Sequence, residues 1–280
     1  QQQYKYTPSN TGKDLRNTYH GSAENYTSET ANSKWDNTAT YNMYRGKHHF
    51  NLLAGTSMQT NSTNYNDIQA RGFPNDDFGY KFLGGAYSKD QTILSSDFVT
   101  TALMSFLARA DYSYDNKYFA TGTIRYDGSS KFGPNNKWGA FPSLALAWDM
   151  TKEHFMEDIS WLNIFKIKTG FGIAGNQNIP NYAIYSLYRP TTTGGSFVYK
   201  SDQRLGNPDL QWERQKQLNL GVDMSFLHNR LNASFNYFHI NNSNLLMDRT
   251  LSTVSGFTNT VANVGELTNK GVEFDLGYAI

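Results

Sequence analysis

Three local patterns in this 280-residue chain could carry chemistry. Gly170-Phe171-Gly172-Ile173-Ala174-Gly175 has the spacing of a glycine loop that cradles a pyrophosphate, a use that requires a helix to start there. Asn176, Asn178 and Pro180 follow instead, so the run reads as a strand entering a loop, and no cofactor is expected. His48 and His49 are neighbours. In an extended segment neighbours point to opposite faces, so the two cannot share a metal, and no third ligand stands at metal spacing. Ser113, Asp111 and Asp127 offer a hydroxyl and carboxylates, but nucleophilic catalysis needs a base held against the nucleophile, and no histidine falls in the same hairpin. The chain is therefore read as non-enzymatic, with no catalytic residue, metal site or cofactor. The sequons at Asn25 and Asn61 are what an Asn- and Thr-rich chain produces by chance.

The elements carrying these residues have a period of two. Phe106, Ala108, Ala110, Tyr112 and Tyr114 alternate with Leu107, Arg109, Asp111 and Ser113. After Asp115-Asn116-Lys117, Tyr118, Ala120, Gly122, Ile124 and Tyr126 alternate with Phe119, Thr121, Thr123, Arg125 and Asp127. Beyond a polar loop, Trp138, Ala140, Leu144, Leu146 and Trp148 share a face. Such alternation makes one apolar and one polar face. The apolar face is small and aliphatic in the middle with aromatics at its ends, the pattern of a membrane barrel with a wet interior.

Along the whole chain this reading predicts about ten antiparallel strands. They include 35–44, 48–60, 161–174, 211–226 and 231–240, and a last one carrying Val272, Phe274, Leu276 and Tyr278. Residues 151–160 are the one plausible short helix. Tight connections at 45–47, 115–117, 150–160 and 227–230 alternate with long ones near 9–30, 61–97, 128–137, 175–210 and 241–267. Short turns on one side and long loops on the other are the asymmetry of outer-membrane barrels, placing the turns in the periplasm and the loops outside. Tyr44, Tyr112, Tyr118, Trp148 and Phe226 are expected in an aromatic girdle at the turn end.

Composition narrows the class further. Aromatics make up 15% of the chain, charged residues 18%, cysteines are absent, and the mean hydropathy is −0.62. A net charge of +1 excludes the basic footprint of a nucleic-acid binder. Zero cysteines exclude a disulfide framework. No apolar run reaches the roughly 18 residues of a membrane helix, so insertion would have to be as a barrel. The first residues lack the basic and apolar regions of a signal peptide, and the chain stops within a strand pattern. It is therefore expected to be an internal piece of a longer protein.

Beyond these patterns lie longer motifs: RYDGSSKFG at 125–133, KWGAFPSLALAW at 137–148 and EHFM at 153–156, then GFGIAGNQNIPNY at 170–182, LGNPDLQWE at 205–213 and QLNLGVDMSF at 217–226. NRLNASFNYFHINNSNLLM at 229–247 and NVGELTNKGVEFDL at 263–276 complete the set. In this order they resemble the barrel of the SusC/RagA-like TonB-dependent outer-membrane transporters, over about 106–276. The resemblance implies an all-β fold, a transmembrane antiparallel β-barrel of 22 strands filled by a plug, of which about ten strands are present. The plug, the TonB-binding segment and the final strands have no counterpart in this sequence, so no residue is assigned to energy coupling.

The resemblance further implies import of large nutrients, oligosaccharides or oligopeptides, across the outer membrane of a Bacteroidetes-type bacterium. A SusD-like surface lipoprotein, the TonB complex and outer-membrane lipid would be the partners, and nucleic acid would not. The alternative is a barrel that acts as receptor or scaffold without transport. Arg109, Asp111, Arg125, Asp127, Lys166, Lys168 and Asp223, with Glu273 and Asp275, are expected to face the lumen and the plug. Tyr182, Tyr185, Tyr188, Phe197 and Tyr199 are the candidates for substrate contact in the outer loops, where aromatic faces beside polar groups suit sugar or peptide.

Overall fold

The computed structural model describes residues 1–8, 21–77, 79–86, 92–193 and 196–279, the side chains of residues 189, 191–193 and 197 excepted. Strands dominate: β1 (Gln2–Thr7), β2 (Ser22–Arg45), β3 (His48–Arg71), β4 (Ile93–Tyr114), β5 (Tyr118–Ser129), β6 (Trp138–Asp149) and β7 (Leu162–Asn176). Then come β8 (Tyr188–Thr193), β9 (Ser196–Ser201), β10 (Arg204–Leu205), β11 (Glu213–Phe226), β12 (Leu231–Ser243), β13 (Leu246–Thr250), β14 (Asn259–Asn263) and β15 (Glu266–Tyr278). Ten of them form one sheet in the order β1-β2-β3-β4-β5-β6-β7-β11-β12-β15, while β10-β14-β13 and β8-β9 form small sheets of their own. Successive strands of the large sheet are neighbours, as in a meander, and every pairing described in it is antiparallel.

By contact the chain divides into two units, residues 1–34 with 59–101, and residues 35–58 with 102–280. In the first, Ala23, Ala70 and Phe73 are buried together against Tyr6, Leu83 and Ala86. The Tyr6 hydroxyl donates to the Asp76 carboxylate there. In the second, the buried residues are Phe132, Phe141, Ile179, Ala183, Leu210, Trp212 and Val261, most of them from connections and not from the large sheet.

Several expected boundaries move. Strand β2 begins thirteen residues before Trp35, and β3 runs eleven residues past Thr60. The connections foreseen at 9–30 and 61–97 are therefore strand over 22–30, 61–71 and 93–97, with 9–20, 78 and 87–91 outside the described residues. These extensions are rich in Ser, Thr and Asn, so no apolar period marks them. Pairing makes them strands: Thr30 and Thr63 hydroxyls lie 3.3 Å apart and the Tyr26 and Tyr65 rings stack at 6.1 Å. The short helix is instead two 3-10 turns, Met150–Lys152 and His154–Met156. The connections at 175–210 and 241–267 contain β8 to β10 and β13 with β14.

The turns explain the register. Asp115 and Asn116 both take positive φ (52° and 51°), which their short polar side chains tolerate, and Tyr114 then pairs with Tyr118. Gly46 (φ 58°) lies in the tight turn between β2 and β3. Residues directly opposed in an antiparallel pair share a face. Tyr112, Ala120, Leu146 and Thr169 are opposed in sequence across β4 to β7, and Leu220, Tyr237 and Val272 continue the row through β11, β12 and β15. The apolar face is thus continuous over seven strands, and its side chains are exposed: Leu144 52%, Leu220 45%, Phe274 65%.

Aromatics close this face at both ends. At the turn end Tyr118 stacks on Trp148 (6.1 Å) and Tyr114 (6.3 Å), and Phe226 stacks on Trp161 (5.9 Å). At the other end Trp138 stacks on Tyr126 (5.0 Å) and Phe106 (6.1 Å). From Tyr118 to Tyr126 the strand β5 holds nine residues, within the roughly 9–11 that carry a tilted strand across a bilayer core. Tyr112 also lies on the apolar face, its hydroxyl 2.9 Å from His48 Nδ1. Tyr44 does not join this ring. It stacks on His49 (4.1 Å, 6°), the neighbour of His48 and so on the opposite face.

Candidate functional site

The polar face of the second unit collects the charged candidates. Arg109, Asp111, Arg125 and Asp127 alternate with the apolar row on β4 and β5; Lys166 and Lys168 do so on β7, Asp223 on β11, and Glu273 and Asp275 on β15. Arg109 Nε donates to both oxygens of Asp111 at 3.0 Å, and Thr121 adds a third bond to Asp111 at 2.7 Å. Arg125 grips Asp127 in the same way at 2.7 and 2.8 Å and also reaches Ser105 Oγ at 3.0 Å. Both pairs join residues i and i+2 of one strand, which a pleated backbone places on one face. Lys168 crosses to Asp223 at 2.7 Å, and Lys166 rests over the Phe119 ring, 4.7 Å from its centroid. Asp275 accepts from Ser234 at 3.2 Å. The charges of these pairs are thus closed within the wall itself.

Glycine leaves room for that closure at one place. A Cβ on Gly221 would lie 2.5 Å from Lys168 Cε, so glycine there leaves the lysine stem room to lie over β11 as it reaches Asp223. Near the middle of the same face, Ala145, Gly170 and Gly172 leave a hollow of about 370 Å³, rimmed by Thr121, Gln217 and Asn219.

At the end opposite the short turns, three connections are fastened into one packed body by the 205–213 segment. Leu210 is fully buried, and Trp212 lies edge-on to Phe141 (5.3 Å) and tilted on Phe132 (5.0 Å). Trp212 Nε1 donates to the Lys137 carbonyl at 3.2 Å. Asn207 accepts from the Asp209 amide, its own amide donates to Ala183, and its side chain donates to the Val261 carbonyl at 3.0 Å. Asn263 ties Gln211 at both its amide and its carbonyl, 2.8 Å each. Lys131 donates to the Ile179 carbonyl at 3.1 Å, and burial holds its ammonium below the ordinary lysine range. Sequence reading missed this body because its apolar members are single residues in polar loops, with no period. The Asn207-Pro208-Asp209 turn signal was the one local pointer to it.

The aromatic candidates sit on this body. Tyr182 and Tyr185 occupy the turn that follows Pro180, and Tyr188 and Tyr199 lie on the β8–β9 hairpin, with exposures of 40%, 58%, 57% and 77%. The Phe197 side chain lies outside the described residues; its backbone pairs with Thr192. At the short-turn end, Glu153 accepts from Tyr118 Oη at 2.6 Å and from Trp148 Nε1 at 3.1 Å, and lies 3.4 Å from Lys117 Nζ. Those donors, Tyr118 first, hold its carboxyl below the usual glutamate range. The glycine run at 170–175 is strand up to Asn176, as its sequence context indicated. His48 and His49 point to opposite faces. Among the described residues no group of three metal-ligating side chains occurs.

Comparison with known proteins gives this geometry a context. The family described as TonB dependent receptor-like, beta-barrel, matches residues 1–279. TonB-dependent receptor P3 of Formosa agariphila is 37% identical over 255 residues, covering 88% of this chain and 25% of its own length. TonB-dependent receptor SusC of Bacteroides thetaiotaomicron is 34% identical over 182 residues, covering 62% of this chain and 18% of its own length. The structure of the RagAB peptide transporter superposes with a TM-score of 0.89 at 26% identity, covering 99% of this chain and 30% of that one. The chain therefore spans about a quarter of the length of the curated relatives it matches. Its continuous apolar face, its two aromatic rims and the match over nearly its full length agree: the chain belongs to the TonB-dependent receptor-like β-barrel family, a family of outer-membrane proteins of Gram-negative bacteria.

Proposed function

We propose that the chain is part of the barrel wall of a SusC-like importer that takes large nutrients, oligosaccharides or oligopeptides, through the outer membrane of a Bacteroidetes-type bacterium. The observation that carries the reading is the seven-strand apolar face bounded by aromatics at the two ends of a nine-residue span, backed by internally paired charges on the other face. An apolar surface of that extent needs lipid against it. In this reading the short turns are periplasmic and the packed loop body is extracellular. The polar face lines the lumen and meets the plug, and a SusD-like lipoprotein closes over the loops. Plug movement driven through TonB would admit the substrate, and no residue of this chain is assigned to that coupling or to any catalytic step. Tyr182, Tyr185, Tyr188 and Tyr199, with Phe197, are the proposed substrate contacts. Exposed tyrosine rings, each with a polar hydroxyl, suit the faces of sugars and the side chains of peptides alike.

Native mass spectrometry of the whole receptor, extracted in detergent from its own outer membrane, tests this. A lipoprotein companion in the complex, together with uptake abolished by removing TonB, is the expected result. A receptor without a companion, in cells whose uptake is indifferent to TonB, refutes the importer and leaves a scaffold or receptor barrel.

A further inference from the structure

On three adjacent strands the apolar face ends in cations. From the turn end, the side chains of β11 on this face are Phe226, Met224, Val222, Leu220 and Leu218, then Lys216 and Arg214. On β12 Leu231, Ala233, Phe235 and Tyr237 lead to His239 and Asn241. On β15 Tyr278, Leu276, Phe274 and Val272 lead to Lys270 and Thr268. Phe226, Leu231 and Tyr278 are opposed in register, so the three strands start together. The apolar run from Phe226 to Leu218 takes nine residues, the span of Tyr118 to Tyr126 on β5, within the roughly 9–11 that cross a bilayer core. Lys216 and Lys270 therefore stand where the hydrocarbon ends and headgroups begin.

These cations are exposed, and among the described residues the side chains of Arg214, Lys216 and Lys270 have no ion pair and no hydrogen bond. At the turn end, by contrast, Lys47 pairs with Asp115 at 2.7 Å, Lys117 with Glu153 at 3.4 Å and Lys152 with Asp149 at 3.4 Å. Arg45 and Arg230 near the turns also lack a partner, but they belong to separate hairpins. At the loop end of β4, β5 and β6 the apolar face closes on Phe106, Tyr126 and Trp138 instead. Glu266, opposite Ser243, is the one carboxylate on this face of β11, β12 and β15, and it too has no ion pair. Three like charges gathered on one face repel, and an anion among them relieves that repulsion.

Neutral donors lie between the lysines. Lys216 is opposed to Asn241, and Asn241 to Thr268, whose Oγ1 accepts from Asn241 Nδ2 at 3.2 Å. The Thr268 hydroxyl hydrogen and the second Asn241 amide hydrogen remain to donate outward. Lys270 follows Thr268 by two residues, so the backbones of Lys216 and Lys270 are about 10 Å apart across the strands and about 7 Å along them. Two long lysine stems bridge that gap around one phosphate, and the Arg214 guanidinium adds a fork of donors beside it. Directly below, Leu218, Leu220 and Val272 are exposed. The place suits a molecule with an anionic, oxygen-rich head and an apolar tail.

We propose that Arg214, Lys216 and Lys270 bind the phosphate of a lipid headgroup at the loop end of the barrel, with Asn241 and Thr268 donating to it and its acyl chains over Leu218, Leu220 and Val272. The proposal rests on the importer reading, which puts that end outside the cell. There the leaflet of a Gram-negative outer membrane is built of phosphorylated glycolipid, and that is the occupant. The apolar floor selects a lipid over a soluble anion, which would gain nothing from it. Each cation close to an anionic headgroup is worth about fivefold in affinity, and salt weakens the attraction.

The test uses the whole receptor, extracted from its own outer membrane, stripped of lipid by detergent exchange and titrated with diphosphorylated lipid A. Native mass spectrometry counts the lipid retained. The wild type is expected to hold lipid A with an affinity that falls as salt rises. Lys216→Gln or Lys270→Gln is expected to weaken it about fivefold, and the triple change that adds Arg214→Gln on the order of 100-fold. Glu266→Gln is expected to tighten it by about twofold, and Lys47→Gln or Lys152→Gln to leave it within about twofold. Unchanged heat-modified mobility shows that the triple variant is folded, and the single variants carry the test if it is not. The proposal is overturned if the wild type retains no lipid, or if lipid A without phosphates is held as well. It is equally overturned if the triple variant binds like the wild type, or if millimolar inorganic phosphate displaces the lipid, which would make this a site for the free ion. A benzophenone amino acid at Leu220, irradiated in the outer membrane, reports on the importer reading separately. Lipid adducts there with no lipid A retained would sink the site and leave the membrane wall, whereas protein adducts there would refute the wall itself.

Discussion

Leu210→Ala isolates the packed loop body from the sheet beneath it. Leu210 is fully buried among Phe132, Ile179, Ala183, Trp212 and Val261, and it belongs to none of the ten strands of the large sheet. Removing its isobutyl group costs about 2–5 kcal/mol for a buried leucine, transfer and cavity together. At about 3 kcal/mol the open form of the loops rises by a factor on the order of 100. The assay is proteolysis of the whole receptor in its outer membrane by a protease added outside, following cleavage between 177 and 212. Under conditions where opening and closing outpace cleavage, the rate follows the open population. Cleavage is expected to rise on the order of 100-fold while the heat-modified electrophoretic mobility of the barrel stays unchanged. Tyr199→Ala, at a ring 77% exposed, is expected to leave cleavage near the wild-type rate. A rise of less than about fivefold would mean that Leu210 does not hold the loops together. An equal loss of barrel stability would mean that loops and barrel open as one.

Three further outcomes follow from named groups. The two Arg-Asp pairs should differ: Asp127 has a side chain only 10% exposed against 28% for Asp111, so Arg125→Gln is expected to cost about 2 kcal/mol and Arg109→Gln less than about 1. Denaturant unfolding of the whole receptor in detergent checks the order, and equal costs would refute it. Lys131 is held below its ordinary value of 10.5 by burial, so the folded loops prefer the neutral amine and the unfolded chain binds the extra proton. Loop protection from protease should therefore rise as pH climbs from the depressed folded value toward 10.5, and Lys131→Met should flatten that rise. Glu153 is held below 4.5 by Tyr118 and Trp148, so the stability it adds is present above 4.5 and lost as pH falls through the folded value. A change in Trp148 emission in that acid window, abolished by Glu153→Gln, is the expected signature, and a window unchanged in the variant rules Glu153 out as its source.

What the chain declared by itself is its alternation. Side chains of a strand point to opposite faces every second residue, so Phe106 to Tyr114, Tyr118 to Tyr126 and Leu218 to Phe226 could be assigned to faces without a neighbour. The number of strands in the large sheet and the placing of Arg109, Arg125, Lys168 and Asp223 opposite the apolar row followed from that rule alone. What the alternation could not show was anything set by a partner far along the chain. The extensions of β2 and β3 carry no apolar period, and only cross-strand bonds such as Thr30 to Thr63 make them strands. Tyr44 went to the wrong face because its facing depends on where the turn places it, opposite His49. The loop body was invisible because Phe132, Leu210 and Val261 are isolated apolar residues, up to 129 positions apart, that gain burial only from one another. Period is a local property of the backbone and can be read from one segment, whereas burial is a relation between segments and exists only once the chain has folded.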